Sequence, residues 1–384
     1  MSAAAEENLF SKDETGDGES YGRHTTGILP GHVLKRLIRA RREVVTAEDL
    51  DEAQIQPASI DLRLGPTAWR VRASFLPGPN ATVRDKLANA AMHEIDLTHG
   101  AVLETGCVYV VPLLESAEFS FRVSGIANPK SSTGRLDVFT RLITDYAQGF
   151  DRIEPGYHGP LYAEISPRTF PILARKGSRL NQLRVRRGSP QFTDTQLKRL
   201  HEETPLVDSE ANIDNGLALS VDLKGELGAH YVGWRAKRHT GIIDIDRRSV
   251  LDPLEYWDPI QASKSGTIVL DPDEFYILAS REAVAIPPEF AAEMVPFNPL
   301  VGEFRVHYAG FFDPGFGYQA GRPPAARAVL EVRSREVPFI LEHGQIIGRL
   351  VFERLTEVPS EVYGEGLGSH YQRQGLKLSK HFID

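Results

Sequence analysis

Apolar and polar positions change period along this chain, and the changes divide it. From His32 to Arg42, the residues Val33, Leu34, Leu37 and Ile38 make one stripe at helical spacing, so a short amphipathic helix is predicted behind Leu29-Pro30-Gly31. From Ile60 to Val185 the period shortens. Runs of β-branched and aromatic residues alternate with Gly and Pro, the pattern of a sandwich or jelly roll of short strands. The alternation is clear in Leu161-Tyr162-Ala163-Glu164-Ile165, which puts Tyr162 and Glu164 on one strand face and the three apolar residues on the other. A basic run, Arg184 to Arg187, opens a connection that turns acidic and carries a predicted helix around Thr193 to Glu203. A second β region runs from about Leu217 to Leu355, and a Gly-rich tail, Gly364 to Asp384, follows it.

The two β regions are written alike. Leu103 to Glu115 (LETGCVYVVPLLE) returns as Leu270 to Glu282 (LDPDEFYILASRE), and Ser59-Ile60-Asp61-Leu62 returns as Ser220-Val221-Asp222-Leu223. Glu154-Pro155-Gly156-Tyr157 matches Asp313-Pro314-Gly315-Phe316, and Ala163-Glu164-Ile165 matches Leu330-Glu331-Val332. All four pairs keep their order at a spacing of roughly 160 residues, too long for a solenoid turn and right for a duplicated domain. The expected organisation is a disordered N-terminus over 1–27, a first domain over 28–190 and a linker with a short helix over 191–215. A second domain over 216–358 and a covering arm over 359–384 complete it.

Composition narrows the function classes. A chain of 384 residues with 41% hydrophobic positions can bury a core in each of two domains. Its formal charge of -8 argues against nucleic acid as a main partner while permitting a local basic pocket for a small anion. Cys107 stands alone, which excludes an internal disulfide and a multi-cysteine zinc site and suits a reducing cytoplasm. No apolar run reaches the roughly 18 residues of a membrane helix, so no membrane partner is expected. The first residues, MSAAAEENLFSKDETGDGE, are acidic and polar, unlike a signal peptide.

Several motifs, in order, resemble one family. These are Gln56-Pro57-Ala58-Ser59-Ile60-Asp61-Leu62-Arg63-Leu64-Gly65, then Lys130-Ser131-Ser132-Thr133-Gly134-Arg135, then Arg152-Ile153-Glu154-Pro155-Gly156-Tyr157, and finally Glu164. Together with Tyr371-Gln372-Arg373-Gln374-Gly375 and Ser379 near the C-terminus, they are similar to the dCTP deaminase branch of the dUTPase-like superfamily. The resemblance implies a mainly β fold of two tandem distorted jelly-roll (β-clip) domains with short helices. It further implies a homo-oligomer, a trimer or a pseudo-trimeric assembly of the repeats, with sites at subunit interfaces. The ligand would be dCTP, with dUTP and dTTP as related ligands.

Deaminating cytosine needs a water at C4, a base for its proton, and an acid for N3 and the leaving amine. Zinc deaminases make that water with His and Cys ligands, which one cysteine cannot supply, so no zinc is expected. A metal-free route needs a carboxylate that shuttles the proton, its pKa raised toward neutrality by burial. Glu164 is the first candidate, since it lies ten residues after Glu154, as the family's shuttle follows the acid of its Asp-Pro-Gly motif. In the same resemblance Ser131 and Arg135 position the water, Lys130 and Ser132 face phosphates, and Arg152 lies near the base and triphosphate. Glu154 and Tyr157 belong to the substrate-binding motif, and Tyr371, Gln374 and Lys377 to the covering arm. Mg2+ would arrive on the oxygens of the triphosphate.

The second repeat offers an alternative. Its Asn298-Pro299-Leu300-Val301-Gly302-Glu303 lacks the paired hydroxyls and the arginine, but Glu331 matches Glu164, so Glu331 beside a Ser131–Arg135 loop could form a composite site. Other functions stay open: a dUTP diphosphatase, an enzyme with both activities, and a non-catalytic nucleotide-binding protein. The first repeat also has six residues more than the family pattern between Arg135 and Arg152.

Overall fold

The computed structural model describes residues 24–225, 230–296, 304–306, 310–334, 336–362 and 375–383. The chain is mainly β. Its first helix, α1 (Gly31–Arg39), buries Val33, Leu34, Leu37 and Ile38, the stripe legible in the sequence. It stops short of Arg42 because Arg41 takes a left-handed backbone, φ 54°, which a helix cannot continue through.

The strands of the first unit that matter for the site are β1 (Ser59–Arg63), β2 (Thr67–Val71), β3 (Val108–Glu118) and β4 (Val123–Pro129). A single helical turn, α2 (Ser131–Gly134), leads into β5 (Val138–Thr144), β6 (His158–Pro167) and β7 (Arg179–Arg187). One sheet runs Arg152–Ile153, β4, β7, β1, and the other runs β5, β6, β3, β2, Ala91–Asp96. After α3 (Asp194–Glu203) come β8 (Leu217–Ser220), β9 (Tyr231–Ala236), β10 (Phe275–Val284) and β11 (Phe290–Pro296). The last strands needed are β12 (Phe311–Phe312), β13 (Ala326–Ser334) and β14 (Ile346–Arg354). Their sheets run β12, β11, β14, β8 and Phe304–Val306, β13, β10, β9, Trp257–Gln261, the same two orders strand for strand. Even a detail recurs: the Tyr109 hydroxyl accepts the Glu104 N–H at 2.9 Å, and the Tyr276 hydroxyl accepts the Asp271 N–H at 3.0 Å.

The connecting helix forms because Thr193 and Gln196 make a capping box, each satisfying a backbone N–H of the other's residue. The basic run before it is not connection. Arg184 to Arg187 belong to β7, paired along its length with β4, and the alternation that carries Val185 into one core turns Arg184 and Arg186 toward the second unit.

The units share an interior. Phe170 of the first unit meets Trp257 of the second edge-on, ring centroids 5.3 Å apart, and Trp257 meets Phe382 at 6.1 Å. Ile243–Asp244 of the second unit adds a parallel strand to Ile172–Ala174 of the first. Arg175 then closes a two-pronged bond onto both carboxylate oxygens of Asp244, each 2.7 Å.

The last described segment, 375–383, the end of the expected covering arm, is docked on the body. Leu378 and Phe382 are buried in the shared core, and Ser249, Val250 and Leu251 donate backbone bonds to Lys380 and His381. The cations of this segment mask its apolar alternation, Leu376, Leu378 and Phe382, which binds it to the body. The N-terminal 1–23 and the remainder of the expected arm over 363–374 lie outside the described residues. Among the described residues no helix is long and apolar enough to cross a membrane.

Candidate functional site

A cavity of about 900 Å³ opens between the units, large enough for a nucleotide. Its first-unit wall includes Lys130, Ser131, Ser132 and Arg135, carried by the turn between β4 and β5. That turn is held from outside: the Lys130 N–H bonds the Leu180 carbonyl of β7, and Thr133 and Arg135 close onto Lys130 and Ser131. Asp61 of β1 faces Lys130, whose ammonium donates to it.

The second unit supplies the opposite wall, with Val329 and Glu331 of β13, Phe311 and Phe312 of β12, Asp313 and Phe316, and the cations Arg248 and Lys380. Val329 and Glu331 share a strand face by the period-2 rule. Glu331 is buried, and its carboxylate stands 3.9 Å from the Arg135 guanidinium. That is an ion pair too long to be a hydrogen bond. Burial pushes the Glu331 carboxyl up to about 7, and the Arg135 charge pulls the other way. Arg135 is steadied from the C-terminal segment, donating to the Lys377 carbonyl at 3.0 Å.

One side of the cavity is lined by the cations Lys130, Arg248 and Lys380, which suits an anion. Burial, together with the charges of Lys130 and Arg248, drives the Lys380 ammonium down to about 8. Beside it Ser379 donates to the Ser132 carbonyl at 2.7 Å and contacts His381 Nδ1 at 2.8 Å, so the docked C-terminus braces the serine turn. Burial holds His381 down to about 4. A triphosphate placed here would relieve the cation repulsion.

Glu164 does not line this cavity. On β6 of the first unit it accepts two bonds from Arg141, Nη2 at 2.5 Å and Nε at 3.1 Å. Arg141 is stacked on the Phe150 ring, 3.4 Å from its centroid, and donates to Ser74. Phe150 and Asp151 lie in the stretch between Arg135 and Arg152, and Asp151 accepts the Leu142 N–H at 2.7 Å. Burial lifts the Asp151 carboxyl to about 7.

The rest of the first unit's third motif lies away from the cavity too. Arg152 and Glu154 are exposed, and Tyr157 donates to the Pro160 carbonyl at 2.8 Å. Their second-unit counterparts Asp313 and Phe316 are the ones in the wall. Tyr371 and Gln374 lie outside the described residues, as does the loop Asn298 to Glu303, and Lys377 enters by its backbone.

Arg184 braces the cavity wall from behind, and the sequence hid it inside a basic run. Wholly buried on β7, it donates to the carbonyls of Ala292 at 2.8 Å and Phe312 at 2.9 Å and lies over the Phe311 ring. It thereby holds the hairpin that presents Asp313, whose carboxyl burial pushes up against the pull of the Arg184 charge. Only its alternation with Val185 signalled burial. Arg248, in Gly241 to Val250, carried no signal at all.

Residues 25–189 match the family described as 2'-deoxycytidine 5'-triphosphate deaminase (DCD) N-terminal domain, and 193–382 match its C-terminal domain. A dCTP deaminase, dUMP-forming, of Beutenbergia cavernae is 30% identical over 148 residues, 36% of this chain and 73% of that protein. The Streptomyces coelicolor protein of the same name is 27% identical over 188 residues, 46% of this chain and 94% of its own length. A crystal structure of 2'-deoxycytidine 5'-triphosphate deaminase from Agrobacterium tumefaciens shares 56% identity at a TM-score of 0.83, covering 88% of this chain and 100% of that one.

Proposed function

The chain belongs to the 2'-deoxycytidine 5'-triphosphate deaminase family, and from that premise we infer that it converts dCTP and water to dUTP and ammonia at the cavity between its two units, with Glu331 as the proton carrier. One observation carries the choice of residue. Glu331 stands in the cavity wall with its carboxyl near neutrality and its oxygens not hydrogen-bonded to Arg135, whereas Glu164 is engaged by Arg141. A general acid-base group works best with a pKa near the working pH and free access to the proton it moves.

The steps follow from these positions. Arg135 and Ser131 orient a water against C4 of the cytosine, and the Glu331 carboxylate takes its proton as the C–O bond forms. The carboxylic acid then protonates N3, and the tetrahedral carbon passes its second water proton by way of Glu331 to the amino group. The C4–N bond breaks, ammonia leaves, the N3 proton stays on the uracil, and Glu331 is again a carboxylate. Lys130, Ser132, Arg248 and Lys380 take the triphosphate, and Phe311, Phe316 and Val329 supply apolar surface for base and sugar.

Mg2+ travels with the triphosphate in this reading. The ion would be held by the oxygens of the substrate, since Mg2+ binds through one or two carboxylates and substrate phosphates more often than in an all-protein cage. We infer, too, that the chain arose by duplication of a single-unit ancestor. The two matched relatives each align with less than half of it while covering most of their own length.

A second reading adds dUTP hydrolysis, since those relatives are named dUMP-forming. Incubation with dCTP and then dUTP, with ammonia and pyrophosphate measured separately, tests both. Ammonia without pyrophosphate supports deamination alone, equal yields of both support the combined activity, and neither product refutes the enzyme reading.

A further inference from the structure

Two residues beyond Arg135 and two beyond Glu331 stand Asp137 and Arg333, both buried. The Arg333 Nη2 donates to Asp137 Oδ2 and, at 3.1 Å, to the Thr169 hydroxyl. Thr169 in turn donates to Asp137 Oδ2 at 2.6 Å, and Arg333 Nη1 donates to the Asp273 carbonyl at 2.5 Å. Neither Asp137 nor Arg333 lines the cavity. We propose that this pair is a positioning clamp, which fixes the serine turn of the first unit against β13 of the second and so sets the approach of Arg135 to Glu331. The proposal rests on Glu331 being the proton carrier.

The geometry gives the clamp its specificity. Glu331 and Arg333 are i and i+2 on one strand, hence on one face. The two ion pairs between the units therefore form successive rungs of opposite polarity: a first-unit cation meets a second-unit anion at Arg135–Glu331, and a first-unit anion meets a second-unit cation at Asp137–Arg333. A slip of two residues along β13 would bring Arg135 toward Arg333, or Asp137 toward Glu331. Like charges opposed in a buried place are strongly disfavoured, so the rungs select one register. Asp137 also holds a left-handed backbone at φ 55°, a conformation that persists where its surroundings over-determine it. The first unit has no counterpart: Ser166 stands two after Glu164, where Arg333 stands two after Glu331. The clamp thus works one way round, and it marks the glutamate whose distance to an arginine has to be kept.

A buried pair replaced by apolar residues of like size keeps stability, while one partner alone is costly. Three variants therefore separate positioning from mere stability: Asp137→Asn with Arg333→Met together, which removes both charges and keeps a residue suited to the left-handed backbone at position 137, Arg333→Met alone, and Arg333→Lys. The double variant is expected to melt within a few degrees of the parent and to lose about 10-fold or more in kcat with KM for dCTP changed less than about 3-fold, because a displaced catalytic group impairs chemistry more than binding. Arg333→Met alone is expected to lose both melting temperature and kcat. Arg333→Lys keeps the charge and folds but loses the planar fork that holds Asp137 and the Asp273 carbonyl together, so kcat is expected to fall by about 3- to 10-fold at unchanged KM. A double variant that regains full kcat with its stability, or an Arg333→Lys enzyme of parental kcat, overturns the clamp. Glu331→Gln is measured alongside: if it turns over normally the proton-carrier reading fails, and if it is inactive while Arg333→Lys is normal, only the clamp fails.

Discussion

Replacing Glu331 by glutamine tests catalysis and electrostatics in one molecule. The amide keeps size and shape but cannot carry a proton, so kcat for ammonia release is expected to fall by the roughly 10²–10⁴-fold typical of a general acid-base group, with dCTP still bound. The same substitution has a second signature. The carboxyl titrates near 4.5 when unperturbed and near 7 in the fold. The native state therefore binds the extra proton, and stability is lost as pH rises from about 4.5 to about 7. At about 1.4 kcal/mol per unit, the buried charge costs the wild type about 3 kcal/mol near pH 8 and less than about 1 kcal/mol near pH 5. The glutamine side chain does not titrate, so the variant gains on the wild type by about 2 to 3 kcal/mol between those pH values. For a chain of this size that is a relative rise in Tm of about 3 °C, read from melting curves at the two pH values. Turnover within about 3-fold of the wild type would refute the catalytic role, and a pH-independent difference in Tm would refute the buried, near-neutral carboxyl that motivates it.

Glu164→Gln is expected to leave kcat within about 3-fold of the parent, and equilibrium dialysis of dCTP to give one site per chain; two sites, or a loss near that of Glu331→Gln, would show that Glu164 is released from Arg141 to act in a site of its own. Because Lys380 loses its charge near 8, the affinity for dCTP is expected to hold below about pH 8 and to weaken above it, by at most about tenfold per unit, while Lys380→Arg stays flat over that range. Phe382→Ala removes a ring buried against Tyr256 and Trp257 and is expected to cost about 3 to 5 kcal/mol, seen as a lower denaturation midpoint; an unchanged midpoint would refute the packing of the C-terminus into the shared core.

Much of this protein was legible in the residues alone. The stripe of Val33, Leu34, Leu37 and Ile38 set the first helix, and the stretch Thr193 to Glu203 was read as the connecting one, because both depend on neighbours within a turn or two of chain. The family motifs located the Lys130–Arg135 turn, and the internal likeness foretold a recurring arrangement of strands. What stayed hidden involves partners far apart in sequence. Arg184 reads as surface charge until the hairpin bearing Phe312 and Asp313 closes over it, and Leu376, Leu378 and Phe382 read as a tail until the two units offer them a shared core.

The two glutamates make the division plain. Glu164 and Glu331 sit in matching strands with matching local patterns, so alternation and spacing treat them alike. Their chemistry differs because one carboxylate meets Arg141 on its own sheet, under the Phe150 ring, while the other meets Arg135 across an interface and is left to face the cavity. A carboxyl's pKa and reach are set by burial and by charges a few ångströms away, and those are fixed only when the chain brings distant segments together.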